Sequence, residues 1–185
     1  MKKITSVFAF AAASLLSAGA MAQAYVVAGA GIGHVGVDCT LASPCDNSNV
    51  AFKLQGGYGF GNGLAAELGY ISFGKSKFRV LDLNGETKVG GFIVGAAYNA
   101  EVAKDFGLTA RLGLARLRTK GSGEIGNFIE GPDSQTHTKP YLGLAANYAV
   151  AKNVKIEAAA DFSRAKWDDD TSSVRAFTLG VRYGF

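Results

Sequence analysis

The sequence predicts an all-β fold: an eight-stranded antiparallel up-and-down transmembrane β-barrel, preceded by a cleaved signal peptide. Three observations carry that expectation. The final ten residues, Ala176–Phe185, place Phe177, Leu179, Val181, Tyr183 and Phe185 at every second position, with Thr178, Gly180, Arg182 and Gly184 between them. A period of two puts each set on its own face of a strand, and ten residues is about the length a tilted strand needs to cross a bilayer. The same alternation recurs along the chain in eight segments, joined alternately by short turns and longer loops. An even strand number with one short-turn end and one long-loop end is the pattern of a membrane barrel.

Composition agrees. Of 185 residues, 48% are hydrophobic and only 18% charged, too few charges for an ordinary soluble surface. Glycine is frequent at 25, and Tyr and Phe together number 19, which suits strands whose outer face meets lipid.

Residues 1–22 are read as a secretory signal peptide. Lys2 and Lys3 open it, Ile4 to Leu16 is mostly apolar, and Ala20-Met21-Ala22 matches a small-residue cleavage site before Gln23. Residues 23–185 then form one barrel domain. Removing Lys2 and Lys3, with no acid lost, takes the formal charge from +4 to +2, too slight to argue for a nucleic-acid partner. No run of 18 apolar residues follows residue 22, so no transmembrane helix is expected.

The strands follow in order. In the first, Val26, Ala28, Ala30 and Ile32 face outward and Val27, Gly29, Gly31 and Gly33 inward. Its glycines read as strand glycines on a crowded wall, since no phosphate-binding Lys and no helix follow. The loop 38–49 carries Cys39 and Cys45 with five residues between them. In an exported protein these are expected to pair as a disulfide worth roughly 2 kcal/mol. With only Asp38 and Asp46 nearby, a metal site lacks ligands.

Val50, Phe52, Leu54 and Tyr58 face out in the second strand, with Lys53 and Gln55 within, and Gly61-Asn62-Gly63 turns into the third. There Leu64, Ala66, Leu68 and Tyr70 meet lipid and Glu67 and Gly69 do not. Strands three and four are expected to continue past the membrane and turn at Asn84-Gly85. Phe92, Val94, Ala96 and Tyr98 return outward, opposite Ile93, Gly95, Ala97 and Asn99. After Ala103-Lys104-Asp105, residues Phe106, Leu108, Ala110, Leu112 and Leu114 face lipid, with Gly107, Thr109, Arg111 and Gly113 inside. Arg116 and Arg118 continue the outer register near the outer end, placed either to reach anionic headgroups or lipopolysaccharide phosphates or to stand as solvated charges above the membrane.

Residues 119–137 are expected to form the longest loop. It holds Glu124, Glu130, Asp133 and His137, read as solvated groups rather than catalysts. Beyond Pro140, Leu142, Leu144, Ala146 and Tyr148 face out against Tyr141, Gly143, Ala145 and Asn147. After Lys152-Asn153, residues Val154, Ile156, Ala158, Ala160 and Phe162 face out while Lys155, Glu157, Asp161 and Ser163 face in. Asp168-Asp169-Asp170 lacks the one-in-two spacing of a calcium loop.

An eight-stranded barrel is just wide enough for side chains to fill. Charges inside it must pair. The expected network sets Glu67 among Lys53 and Arg111, and Glu157 and Asp161 near Lys155 and Arg182. Such an interior plugs the barrel.

Taken together, the Leu-Ala-Ala-Glu-Leu-Gly-Tyr run at 64–70, Pro-Tyr-Leu-Gly-Leu at 140–144 and the terminal Leu-Gly-Val-Arg-Tyr-Gly-Phe at 179–185 resemble the OmpA-type and opacity-type outer-membrane β-barrels. The resemblance covers essentially all of the mature chain. It implies an integral location in a bacterial outer membrane, and recognition of the terminal strand by the barrel assembly machinery. It also implies a role as envelope structure, adhesin or host-interacting surface protein. The chain ends at Phe185, so the peptidoglycan-binding domain of longer relatives is not expected. Small barrels that modify lipid A need a His and a Ser spaced along one lipid-facing strand with an acid nearby. Neither His34 nor His137 has that spacing. The function expected is therefore a non-enzymatic, monomeric outer-membrane barrel with no cofactor, in contact with outer-membrane lipid and lipopolysaccharide, presenting loops 38–49, 74–88, 119–137 and 167–173. The alternatives are an adhesin with a host-surface ligand and a narrow gated channel.

Overall fold

The structure is a computed structural model that describes residues 23–36, 45–46, 48–80, 83–125, 128–129, 133–167 and 170–185. At 23, 45–46, 76–80, 83–87, 120–125, 128–129, 133, 166–167 and 170–171 it describes the backbone alone. The proposed signal peptide and Cys39 lie outside the described residues, as do Glu130 and Asp168-Asp169.

Eight long strands form the wall: β1 (Gln23–Val35), β2 (Ser48–Gly59), β3 (Leu64–Val80), β4 (Leu83–Ala103), β5 (Phe106–Ile125), β6 (Asp133–Ala151), β7 (Val154–Trp167) and β8 (Asp170–Gly184). Each pairs antiparallel with the next. Strand β8 also pairs with β1, from Tyr25↔Gly184 to Val35↔Val174, and this closes the sheet into a barrel. Closure joins the two outermost strands of the sheet to each other, the condition for a sheet to sit in hydrocarbon. Two short segments, Cys45–Asp46 and Phe128–Ile129, pair with the tips of β3 and β5.

The faces sort as the alternation requires. Every outward residue named above from β1 to β8 lies on the outside, and Leu112 is 68% exposed there. Lys53, Glu67, Arg111, Glu157, Asp161 and Arg182 lie on the inner face, buried. Three short connections, at Gly61-Asn62-Gly63, Lys104-Asp105 and Lys152-Asn153, share one end of the barrel with both ends of the described chain, where Phe185 N donates to the Ala24 carbonyl at 3.0 Å.

At the other end the strands run further than the sequence reading allowed. Most of the expected loop 119–137 is ladder: β5 continues to Ile125 and β6 begins at Asp133, with Gly121 opposite Asp133. The expected outer loop at 167–173 is likewise narrow, because Asp170 already pairs with Trp167. Asn84-Gly85 is not the β3–β4 turn. Asn84 pairs with Arg79 and Gly85 with Phe78, so the connection runs through residues 81–82. The register is fixed lower down by which side chains face the lumen, and a turn signal cannot shift it by even one residue without inverting both faces.

A bulge between Ser72 and Gly74 gives β3 its bend, with Gly74 at φ 88°. The β2–β3 ladder stops at Phe52↔Ser72. Beyond it β3 leans inward until Phe73 covers the inner face of β1 at Gly33. A Cβ on Gly33 would lie 1.9 Å from the Phe73 carbonyl oxygen. Gly33→Ala is therefore expected to cost about 1–3 kcal/mol through overpacking against backbone. Urea titration of the folded band on gels would register this as a lower midpoint, and an unchanged midpoint would mean that the two strands have room to separate.

Candidate functional site

The lumen holds a layer of charge at mid-height. Arg111, on β5, lies at its centre and is 1% exposed. Its Nε donates to Glu67 Oε2 at 2.9 Å, and its Nη2 donates to both Glu157 oxygens at 3.0 Å. Lys53 Nζ reaches across from β2 to Asp161 Oδ2 at 2.8 Å and lies 3.7 Å from Glu157 Oε1. Arg182 Nη1 sits 3.8 Å from Glu157 Oε2. Three cations thus face three carboxylates, and the layer is neutral as a whole.

Two tyrosines complete it. Tyr25 Oη donates to Glu67 Oε1 at 2.6 Å, and Tyr141 Oη donates to Asp161 Oδ1. The Arg182 guanidinium stacks 3.7 Å over the Tyr25 ring. Gly57 makes room for that ring, since a Cβ there would fall 2.1 Å from it. Below, Asn147 Nδ2 donates to Thr109 Oγ1, Thr109 Oγ1 donates to Asn99 Oδ1, and Arg182 Nη1 donates to the same Asn99 oxygen. Among the described residues Gln55 Oε1, Arg111 Nη1 and Asn147 Oδ1 are buried with no protein partner.

This arrangement corrects two expected pairings. Lys53 meets Asp161 and Glu157, not Glu67. Lys155 meets neither Glu157 nor Asp161. It stands at the turn-end mouth, 3.9 Å from the exposed Glu101. Strand order gives each residue's height only within its own strand, while the stagger of a closed barrel decides which heights coincide across the lumen. The sequence reading also missed the upper layer. Val35, Ile71, Phe73, Leu117 and Val174 form an apolar cluster above the charges, fully buried. Phe73 continues the inward register of Glu67, Gly69 and Ile71, and the inward lean of β3 brings it against β1. At the turn end a vestibule of about 640 Å³ opens to Tyr25, Asn99, Asn147 and Arg182.

The remaining candidates sit apart. His34 Nδ1 lies 3.1 Å from Ser48 Oγ across the β1–β2 ladder, and His137 Nε2 lies 3.3 Å from Gln135 Oε1. Neither ring pairs with a carboxylate among the described residues, the partner that would make it a charge-stabilised base. His34 and Ser48 lie on adjacent strands, a neighbourhood that spacing along one strand does not show. Among the described residues no cluster suited to a metal ion occurs. Cys45 is described by backbone alone, and the Cys39–Cys45 disulfide stays an expectation. Arg116 and Arg118 are exposed on the outer face, and Arg118 Nη2 donates to Ser134 Oγ at 2.8 Å. Phe177, Leu179, Val181, Tyr183 and Phe185 form an exposed outward stripe on β8, with Tyr183 and Phe185 edge to face at 5.1 Å.

Removing Arg111 leaves Glu67 and Glu157 buried without their main partner. Arg111→Leu is expected to cost about 3–5 kcal/mol, against less than about 1 kcal/mol for Lys155→Leu at the exposed mouth. Equal midpoints for the two variants in denaturant titration would contradict the assignment of the layer.

Comparison with known proteins gives a concordant result. The profile described as outer membrane protein beta-barrel domain matches residues 8–185. No curated protein sequence matches the chain. Among solved structures, Ail, the attachment invasion locus protein of Yersinia pestis, is 18% identical with a TM-score of 0.61, covering 90% of this chain and all of that one. Neisserial surface protein A is also 18% identical at a TM-score of 0.61, covering 88% of this chain and 97% of that one. The N-terminal barrel of Pseudomonas aeruginosa OprF is 14% identical at 0.53, covering 90% and 99%. At these identities the likeness is one of fold. The family match extends over nearly the whole chain, and with the closed eight-stranded wall and its apolar exterior it makes this chain an integral outer-membrane protein of the outer-membrane protein β-barrel family.

Proposed function

We propose that this protein is a non-enzymatic, monomeric barrel that supports the integrity of the outer membrane and presents its extended strand ends outside the cell. The observation that carries the reading is the filled lumen. Among the described residues a neutral layer of ion pairs is capped by buried apolar side chains, which supports a plugged interior over a wide pore. In this reading residues 1–22 direct export, and the barrel assembly machinery reads the outward stripe ending at Phe185. The short turns face the periplasm, and segments 38–49, 74–88, 119–137 and 167–173 lie outside, with Cys39 and Cys45 joined. The exposed His34–Ser48 pair has no carboxylate on the imidazole among the described residues, which favours the non-enzymatic reading.

A second reading is surface attachment through those segments. Two things favour it: strands β4 and β5, at 21 and 20 residues, are far longer than the roughly 9–11 residues a membrane crossing needs, and the similar barrel Ail was solved with a heparin analogue. Planar-bilayer recording of the folded protein tests the first reading against a gated channel. No discrete openings are expected, and reproducible unitary steps would remove the plugged-barrel role. Loss of cell binding on replacing the tips of β4 and β5 would instead favour attachment.

A further inference from the structure

A groove of about 780 Å³ crosses the outer face of β2 to β5 toward the extended end. Its floor is small. Gly90 lies in one ladder row between Ser72 and Arg118, and Phe92 lies in the next between Tyr70 and Arg116. A Cβ on Gly90 would stand 3.0 Å from Tyr70 Oη and 3.1 Å from the Ile71 carbonyl, so a larger residue would fill the depression. One wall is aromatic: Phe52 stacks on Tyr70 at 5.8 Å, and Phe92 meets Tyr70 edge-on at 5.5 Å. The other wall carries Arg116 and Arg118, Lys75 and Lys88 also line the groove, and no carboxylate lines it among the described residues.

The register sets the depth of each wall. On β5 the outward residues Phe106, Leu108, Ala110, Leu112 and Leu114 precede Arg116. From 106 to 114 the strand advances about 26 Å, or about 20 Å along the membrane normal at a tilt of about 40°. An apolar band on such a barrel is about 25 Å tall. Arg116 therefore stands where hydrocarbon gives way to headgroups, with Arg118 about 7 Å further out along the same strand. The aromatic wall lies just inside that boundary, where such rings form interfacial girdles.

A soluble anion has no use for the aromatic wall, and a hydrocarbon chain has none for two guanidinium groups at its edge. The groove suits a molecule with phosphate and acyl chain side by side. Arginine holds phosphate through paired N–H donors. Arg118 is already oriented by Ser134 and keeps further donors for a ligand. We propose that this groove seats a phosphorylated glycolipid of the outer leaflet, with its phosphate between Arg116 and Arg118 and an acyl chain laid across Phe52, Tyr70 and Phe92. The inference rests on the orientation proposed above, with the extended strand ends outside.

Native mass spectrometry of the full folded chain tests it, with diphosphoryl lipid A, its dephosphorylated form and phosphatidylglycerol offered in equal amounts. The wild type is expected to retain diphosphoryl lipid A preferentially. Arg116→Gln/Arg118→Gln is expected to retain about ten-fold less, the effect of losing a charge-assisted contact worth 1.4 kcal/mol or more. The control Arg164→Gln/Arg175→Gln, which removes two exposed cations from β7 and β8, is expected to bind as the wild type does. Undiminished adducts in the groove variant, equal loss in the control, or equal retention of the dephosphorylated lipid or phosphatidylglycerol would overturn the proposal. A dimer abolished by the groove variant would also overturn it, because the seat would then belong to a second copy. Heat-dependent gel mobility of each variant reports the barrel separately, so a failed groove and a failed barrel give different results.

Discussion

Six ionised side chains share a space that eight strands make too narrow for bulk water. That constraint shapes the rest of the molecule. An uncompensated charge in such a lumen costs several kcal/mol, so each cation needs a carboxylate within reach and each carboxylate needs its remaining lone pairs occupied. Tyr25 and Tyr141 meet the second demand, and Gly57 gives the first of them its space. The side chains that satisfy one another across the lumen come from β2, β3, β5, β7 and β8, so the layer acts as a cross-brace that a two-stranded neighbourhood cannot supply.

The outside obeys the complementary rule. Bulky apolar residues alternate with these inward groups, and the backbone is satisfied by closure of β8 on β1. Where the apolar band ends on β5, two arginines begin, and the small residues Gly90 and Ser72 leave a depression beside them. The two faces of one strand thereby serve different tasks. Arg111 points inward and braces the wall, and Arg116, five residues on and on the other face, meets the membrane boundary.

Much of this was legible in the sequence because a period of two leaves little freedom. Once Leu112 is assigned outward, Arg111 and Gly113 must face in, and each strand repeats the argument. Connections were less legible. Asn84-Gly85 has the composition of a hairpin turn, yet it lies within the β3–β4 ladder because register is set by the buried rows below it. Polar strand tips such as 119–125 read as loop, since outside the membrane neither face needs to be apolar. Partners across the lumen were the least legible. The Lys53–Asp161 contact spans 108 positions in sequence and depends on barrel stagger, a global property that no local pattern carries. The bulge that brings Phe73 over Gly33 was hidden for the same reason, because Gly74 looks like any other strand glycine.

The central claim is that opposed charges brace the lumen by compensating one another. A double-mutant cycle between Lys53 and Asp161, measured by reversible unfolding in micelles or bilayers, addresses it most directly. With Lys53→Met and Asp161→Leu as the single changes, the account expects each to be strongly destabilising and the double change to recover about 2 kcal/mol or more of their summed cost. Strictly additive costs would mean that the two groups do not sense one another, and the lumen would then be held together by something other than paired charge.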